Sequence, residues 1–357
     1  MYKASELELN KLLAITLERN ASDLHLTVGE PPILRIDSAI NRLEDYQVFS
    51  ADAISDLVGV MLTPIQKEIL AKQLHIDFSY SYKDNARFRV NVYFAQGVLA
   101  VAFRLIPTQI KSLEELNLPP MLKQFTEHRQ GLVLVVGPTG HGKSTALASM
   151  INEINLTRSE HILTIEDPVE FLFTHKQSFI SQREVGGDTP DFALALKAAL
   201  REDINVVLVG EMRDKESIAA TLTLAETGHL IFATMHTNDA AQSVDRIVDV
   251  FPGDQQGQIR SQLANTLLGV VSLRLLPKVG GGRIPSAEIM IVNHAIKNVI
   301  RDNKIYEISN IIHTSMESGM IPLDKSLANL VKQGLVDLET ARNYVLDDEY
   351  FASLIST

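Results

Sequence analysis

The stretch GPTGHGKST, Gly137 to Thr145, carries the residue types that a phosphate cradle needs. It fits G-x-x-x-x-G-K-[ST] in full, between a strand-like run, Leu132 to Val136, and a helical one. Glycines at 137, 140 and 142 let backbone N–H groups turn inward around an anion. The helix N-terminus from Lys143 adds partial positive charge. Lys143 can reach β- and γ-phosphates, and the Ser144 hydroxyl can ligate Mg²⁺. Pro138, Thr139, His141 and Thr145 complete the loop. His141 occupies a variable position where backbone alone is required. It is read as a replaceable loop residue; the sharper reading is a protonated imidazole adding charge near the phosphates.

Holding phosphate is not spending it. Hydrolysis needs a metal and a positioned water. In α/β sheets, ligands sit beyond the carboxyl ends of strands. HILTI ends in Glu166-Asp167, VVLVG ends in Glu211, and HLIFAT runs into His236. Singly, each has a plain explanation, because strand ends are exposed and Asp before Pro168 favours a turn. Together with the glycine loop they deliver four sets of polar groups to one sheet edge. Gly210 precedes Glu211 where P-loop enzymes usually end the strand in Asp. If Glu211 orients the water, a further carboxylate near Mg²⁺ must come from elsewhere, and Glu166 is the nearest candidate. His229 and His236 are seven apart, an odd spacing that sends them to opposite faces of a straight strand. Both can face a γ-phosphate only if the strand ends between them. There is no H-E-x-x-H and no sign of a zinc site.

The elements that must position these groups are legible in the apolar rhythm. From Met121, short apolar strands alternate with helices from Lys143, from Pro190 to Arg201, from Asp214 to Thr227 and from Asp239 to Val250. That rhythm predicts a mostly parallel sheet covered on both faces. Thr189-Pro190 reads as an N-cap followed by proline at the first helical position. Residues 121–284 form the core of this α/β domain, and after Pro285 the chain turns helical, 285–357. Residues 1–106 read as a smaller α+β domain: a helix to Asn20, alternating strands, one helix from Ser50 through AKQ, and more strands. The proline-bounded stretch 107–120 reads as a linker.

The 357 residues are 45% hydrophobic and 22% charged, ordinary for a globular chain. With no cysteine, disulfides, thiolate metal sites and cysteine nucleophiles are excluded. The 33 Lys and Arg against 44 Asp and Glu give a net charge of −11, which weighs against a nucleic-acid partner. Glu6, Glu8 and Glu18 interrupt any secretory leader, and no apolar run approaches the roughly 18 residues of a span. The expectation is a cytoplasmic protein that meets a membrane only through a partner.

GPTGHGKST, ILTIEDPVE, VVLVGEMRD and TGHLIFATMHT resemble the Walker A motif, Asp box, Walker B motif and His box of secretion and type IV pilus ATPases. Within that superfamily the chain is similar to the PilT family of pilus retraction motors. ASDLHL near the N-terminus, AIKNVIRD at 295–302 and GMIPLDKSLANLVKQGLV near the C-terminus carry the likeness along nearly the whole chain. The resemblance implies a PAS-like N-terminal domain joined to a RecA-like P-loop ATPase domain with a C-terminal helical segment, assembled as a homo-hexamer. It implies ATP and Mg²⁺ as ligands, with Lys143 and Ser144 at phosphate and metal. Glu211 becomes the catalytic glutamate, Glu166 assists at metal or water, and His229 and His236 serve phosphate sensing or coupling. The family also sends arginines from its N-terminal domain to the nucleotide, here Arg87, Arg89 and Arg104; the residues alone point rather to a cross-strand ion pair or a solvated strand face. Expected partners are an inner-membrane pilus platform protein and a paralogous retraction ATPase, with the ring peripheral at the inner face of the cytoplasmic membrane.

The chain departs from the family pattern in places. Gln96 stands before Gly97 where an arginine is common, Ile204 and Asn205 replace a proline-containing turn, and Lys297 and Asp302 replace Arg and Glu. Lysine does not reproduce a bidentate arginine contact. Gln96 favours the alternative reading of a PilU-like accessory ring with weak hydrolysis of its own; a type II secretion or other traffic ATPase is a second alternative. The missing cysteines and the compact N-terminal half speak against the extension branch.

Overall fold

The computed structural model describes residues 2–36, 39–82, 86–107 and 109–356; Met1, Asp37, Ser38, Lys83, Asp84, Asn85, Thr108 and Thr357 lie outside the described residues. The chain divides into two compact units. The first is Met1–Gln109 with Pro168–Leu172, and the second is Ile110–Asp167 with Phe173–Thr357. The short return of 168–172 to the first unit carries no composition signal.

The first unit opens with α1 (Tyr2–Glu18), β1 (Asp23–Leu26), β2 (Ile33–Ile36) and β3 (Ala39–Arg42). It continues with α2 (Ala51–Met61), α3 (Pro64–Gln73), β4 (His75–Tyr82), β5 (Ala86–Ala95) and β6 (Val98–Ile106). The strands form one antiparallel sheet in the order β3-β2-β1-β6-β5-β4. Phe88, Val90, Val92 and Phe103 are buried among Leu9, Leu12, Leu13, Ile54 and Leu57 from α1 and α2. Period-two alternation then sends Arg87, Arg89 and Arg104 to the other face. The single helix expected after Ser50 is two. Ser50 caps α2 by accepting from the Ala53 amide, and the chain breaks at Leu62. Thr63 and Gln66 form a reciprocal capping box with Pro64 at the first turn of α3. Proline cannot donate the hydrogen bond that a continuous helix would need there.

The second unit contains α4 (Met121–Glu127), β7 (Gly131–Val136), α5 (Lys143–Thr157), β8 (His161–Glu166) and β9 (Phe179–Glu184). Next come α6 (Phe192–Ala199), β10 (Val206–Val209), α7 (Lys215–Glu226), β11 (Leu230–Met235), α8 (Ala240–Asp249) and α9 (Gly253–Thr266). It ends with β12 (Leu267–Pro277), β13 (Arg283–Ile291), α10 (His294–Arg301), α11 (Ile308–Thr314), α12 (Leu323–Lys332), α13 (Leu338–Arg342) and α14 (Asp348–Ser356). The sheet order is β13-β12-β7-β11-β10-β8-β9, parallel except for the β12–β13 hairpin. Val133, Val135 and Phe232 face α4 and α5, while Leu132, Leu134 and Ile231 face α6 to α9. Burial on both faces is why these strands read as unbroken apolar runs rather than alternating ones. Each such side chain contributes about 1.5–3 kcal/mol.

Three expectations change here. Asp191, not Thr189, caps α6, accepting from the Leu194 amide. Leu113 and Leu118 of the expected linker are buried with α4 and α5, so the chain joins the second unit from Ile110. The strand β13 runs through Pro285, where helix was expected; as an edge strand it tolerates a residue that cannot donate. Leu276 and Ile284 of this hairpin pack under α12 to α14. Among the described residues no helix is long and apolar enough to cross a membrane.

Candidate active site

The glycine loop leaves the carboxyl end of β7, all six residues of which are buried. Gly137 has φ +139°, and a Cβ there would lie 2.5 Å from the Leu273 carbonyl oxygen of β12. Only glycine allows that approach. Gly140 and Gly142 hold φ +81° and +85°, with nothing within 4 Å of where a Cβ would be. Gly142 is the N-cap of α5 and offers no side-chain cap, so the first-turn amides stay available to an anion. Lys143 is buried, and its Nζ donates to the carbonyls of Gly137 at 2.8 Å and Pro138 at 3.0 Å. The left-handed glycines, the curled ammonium and the uncapped helix start fit a polyphosphate.

Register brings the acidic strand ends alongside. Val136 pairs with Met235, and Val209 pairs with both Ala233 and Ile165, so β7, β11, β10 and β8 end on one edge. A Cβ on Gly210 would meet the Glu166 Cα and the Ile165 carbonyl at 3.2 Å. Glycine thus lets the strand carrying Glu211 run close beside Glu166. The Glu166 carboxylate is buried and accepts from the Thr164 hydroxyl at 2.8 Å. Glu211 Oε2 lies 2.7 Å from Arg213 Nη2 and 3.4 Å from His236 Nε2. The other ring nitrogen of His236 lies 3.4 Å from Thr139 Oγ1 in the glycine loop. A ring donating from Nε2 to the carboxylate accepts at Nδ1 from the Thr139 hydroxyl. Burial pushes the Glu211 carboxyl up, but the hydrogen bond from Arg213 and the neighbouring His236 outweigh it and leave it below its ordinary value. Arg213 and Thr139 were not singled out for these contacts in the sequence. An arginine two residues after a strand-end glutamate was the available signal.

Two sequence expectations need correction. The strand does not end between the two histidines: β11 separates them, and the His229 carbonyl accepts from the Gly131 amide at the opposite end of β7. Six residues of strand put His229 on the order of 20 Å from the glycine loop of its own chain. There its Nδ1 contacts the Leu224 carbonyl at 3.0 Å, closing the end of α7. His141 is neither replaceable filler nor an added charge. Its Nδ1 accepts from the Leu275 amide at 3.0 Å, and its ring meets Tyr344 edge to face at 6.2 Å. Burial, followed by the charges of Arg274, Lys143 and Arg283, lowers its pKa. An Nδ1 that accepts cannot also carry a proton.

In the first unit, Arg104 Nε donates to Asp23 Oδ1 at 2.9 Å, and the two residues are cross-strand partners. Arg89 Nε donates to Asp77 Oδ2 at 3.0 Å from the strand beside it. Arg87 shares that face, half-buried. Gln96 and Gly97, with φ +52° and +81°, form the two-residue turn joining β5 and β6.

A family model described as type II/IV secretion system protein matches residues 4–282. The chain belongs to that family. It is 42% identical over 345 residues to the type IV pilus retraction ATPase PilT of Pseudomonas aeruginosa, covering 97% of this chain and all of that one. It is 47% identical over 319 residues to a twitching motility protein of Neisseria gonorrhoeae, covering 89% and 85%. A crystal structure of the pilus retraction motor PilT with bound ADP superposes with a TM-score of 0.88 at 44% identity, covering 96% and 98%. The chain is therefore a PilT-like ATPase with a RecA-like P-loop domain, an α+β N-terminal part and C-terminal helices.

Proposed function

We propose that this chain powers retraction of type IV pili by hydrolysing ATP at the sheet edge formed by the glycine loop, Glu166, Glu211 and His236. The observation that carries the reading is the convergence of four separated motifs on that edge, in a chain similar to PilT along its whole length. The loop amides and Lys143 would hold the β- and γ-phosphates, with Gly137 to Thr145 as the binding segment. Mg²⁺ would supply charge neutralisation, held through oxygen donors, the Ser144 hydroxyl with Glu166 or Glu211, and phosphate oxygens. Hard oxygen donors of this kind suit that ion. Glu211 would orient the attacking water. Its lowered pKa keeps it an acceptor, and Arg213, His236 and Thr139 fix its direction and link it to the phosphate loop.

The motor would be a homo-hexamer, acting from the cytoplasm on an inner-membrane pilus platform protein, with a paralogous retraction ATPase as a second partner. Arg87, Arg89 and Arg104 would serve the nucleotide within that ring. The Arg104 side chain is largely exposed while Asp23 is buried, and Arg35 and the Ser22 hydroxyl also lie on that carboxylate, so Asp23 keeps partners when Arg104 turns to a phosphate. A strain lacking the gene should be hyperpiliated and unable to twitch. Loss of pili would contradict the direction of travel, and normal retraction would leave the accessory-ring reading in its place.

A further inference from the structure

The β12–β13 hairpin changes character along one face. Val270 and Met290 belong to the apolar layer under α8 and α9. Two residues further along each strand the same face carries Ser272, Arg274, Glu288 and Ser286, with Ser272 opposite Glu288 and Arg274 opposite Ser286. All four are buried. Burying a guanidinium and a carboxylate is costly unless each is paired and hydrogen-bonded. Their partners therefore say what the cost supports.

Beyond their own strand, those partners fall on one short segment. Arg274 Nη2 donates to the Asn238 carbonyl at 2.8 Å, and Ser272 Oγ donates to the same oxygen at 2.6 Å. Arg274 Nη1 is fixed by the Leu273 carbonyl at 3.0 Å and Ser272 Oγ at 3.3 Å. Glu288 Oε1 accepts from the Ala240 amide at 2.9 Å, at the first turn of α8. The segment 237–240 joins His236 to α8. Thr237 Oγ1 pairs with Ser243 Oγ at 2.6 Å, and the Asn238 amide donates to Gln242 Oε1 at 2.6 Å. His236 itself makes two contacts of 3.4 Å, near the outer limit of a hydrogen bond. A displacement of under 1 Å would end both.

We propose that Arg274 is a positioning residue for His236: by holding the Asn238 carbonyl together with Ser272, while Glu288 takes the Ala240 amide, it sets the imidazole between Thr139 and Glu211. Arg274 makes no hydrogen bond to the phosphate loop or to Glu211, though its charge reaches His141; its hydrogen bonds hold the backbone that follows His236. The idea rests on the role given to His236 above. Burial pushes the Glu288 carboxyl up to about 7; the Ala240 amide and Arg274 oppose this, while Asp239 of the α8 cap and Asp324 of α12 add to it. The brace is therefore a network of one cation and three acids across β12, β13, α8 and α12.

A double-mutant cycle on the full-length protein tests this, with Arg274→Met and His236→Gln made singly and together. Arg274→Met should lower kcat roughly 10- to 100-fold, as a sub-ångström misplacement can, while ADP affinity stays within about threefold. In the His236→Gln background the same change should cost almost nothing further, because the group it positions is gone. Arg274→Lys should recover part of the loss. A full, multiplicative loss in both backgrounds would overturn the proposal, marking a general structural role. His236→Gln with wild-type kcat would instead refute the role of His236, and this proposal with it. Should Arg274→Met fail to fold, Ser272→Ala removes one of the two donors to Asn238. It should show a smaller loss of the same kind, absent in the His236→Gln background; additivity there would count against the idea equally.

Discussion

A histidine inside a phosphate loop invites an electrostatic reading, and its hydrogen bond points the other way. His141 Nδ1 accepts from Leu275, and burial with three nearby cations disfavours the charged ring. With its folded pKa lowered, the stabilisation it gives is present above the ordinary histidine range and fades as pH falls through the lowered value. His141→Ser removes the acceptor of a backbone amide, at a cost of about 1 kcal/mol, or a fall in Tm of roughly 2–4 °C. Between pH 7 and 8 the ratio of wild-type to variant ATP affinity should stay constant; a ratio that changes across that range would restore the charge reading. Residue types and spacing located the glycine loop, Lys143, Ser144, Glu166, Glu211 and His236. They could not reveal a contact between residues 134 positions apart, nor Arg274, whose meaning depends on the carbonyl it reaches.

At the scale of elements, the strands buried on both faces and their helices were legible, because apolar runs and caps are local signals. Asp214 and Asp239, expected as the first residues of their helices, are the caps of α7 and α8, which start one residue later. The β12–β13 hairpin was hidden: Pro285 reads as a strand breaker, and Ser272, Arg274 and Glu288 are polar residues that look unlike core. The same property makes it testable. Glu288 is ordinary near 4.5 in the unfolded chain and about 7 when folded, so the folded state holds its proton more tightly. The stabilisation from that proton is complete below about pH 4.5 and lost as pH rises through about 7. The full span corresponds to about 3 kcal/mol. Glu288→Gln should therefore gain stability relative to wild type as pH is raised from 5 to 8, followed by thermal melting. Parallel melting curves across that range would contradict the buried titration.

At the scale of the whole molecule, two separately cored units share one chain, and the glycine loop, Glu166, Glu211 and His236 all lie in the second. The change of rhythm at Met121 and the proline-bounded stretch 107–120 pointed to a division, and the second unit starts at Ile110. The return of Pro168–Leu172 to the first unit was not, since five residues cannot announce which core they join. Net charge and absent cysteines narrowed the function class, and the four motifs named the family. On the proposed reading, Glu211 is the residue that turns a nucleotide holder into a motor. The most direct measurement is phosphate release at saturating MgATP by the purified protein and by Glu211→Gln, with ATP binding measured on both. Wild type should turn over, and the variant should bind ATP with similar affinity while its turnover falls by about 10²- to 10⁴-fold. Undiminished turnover in Glu211→Gln would contradict the account.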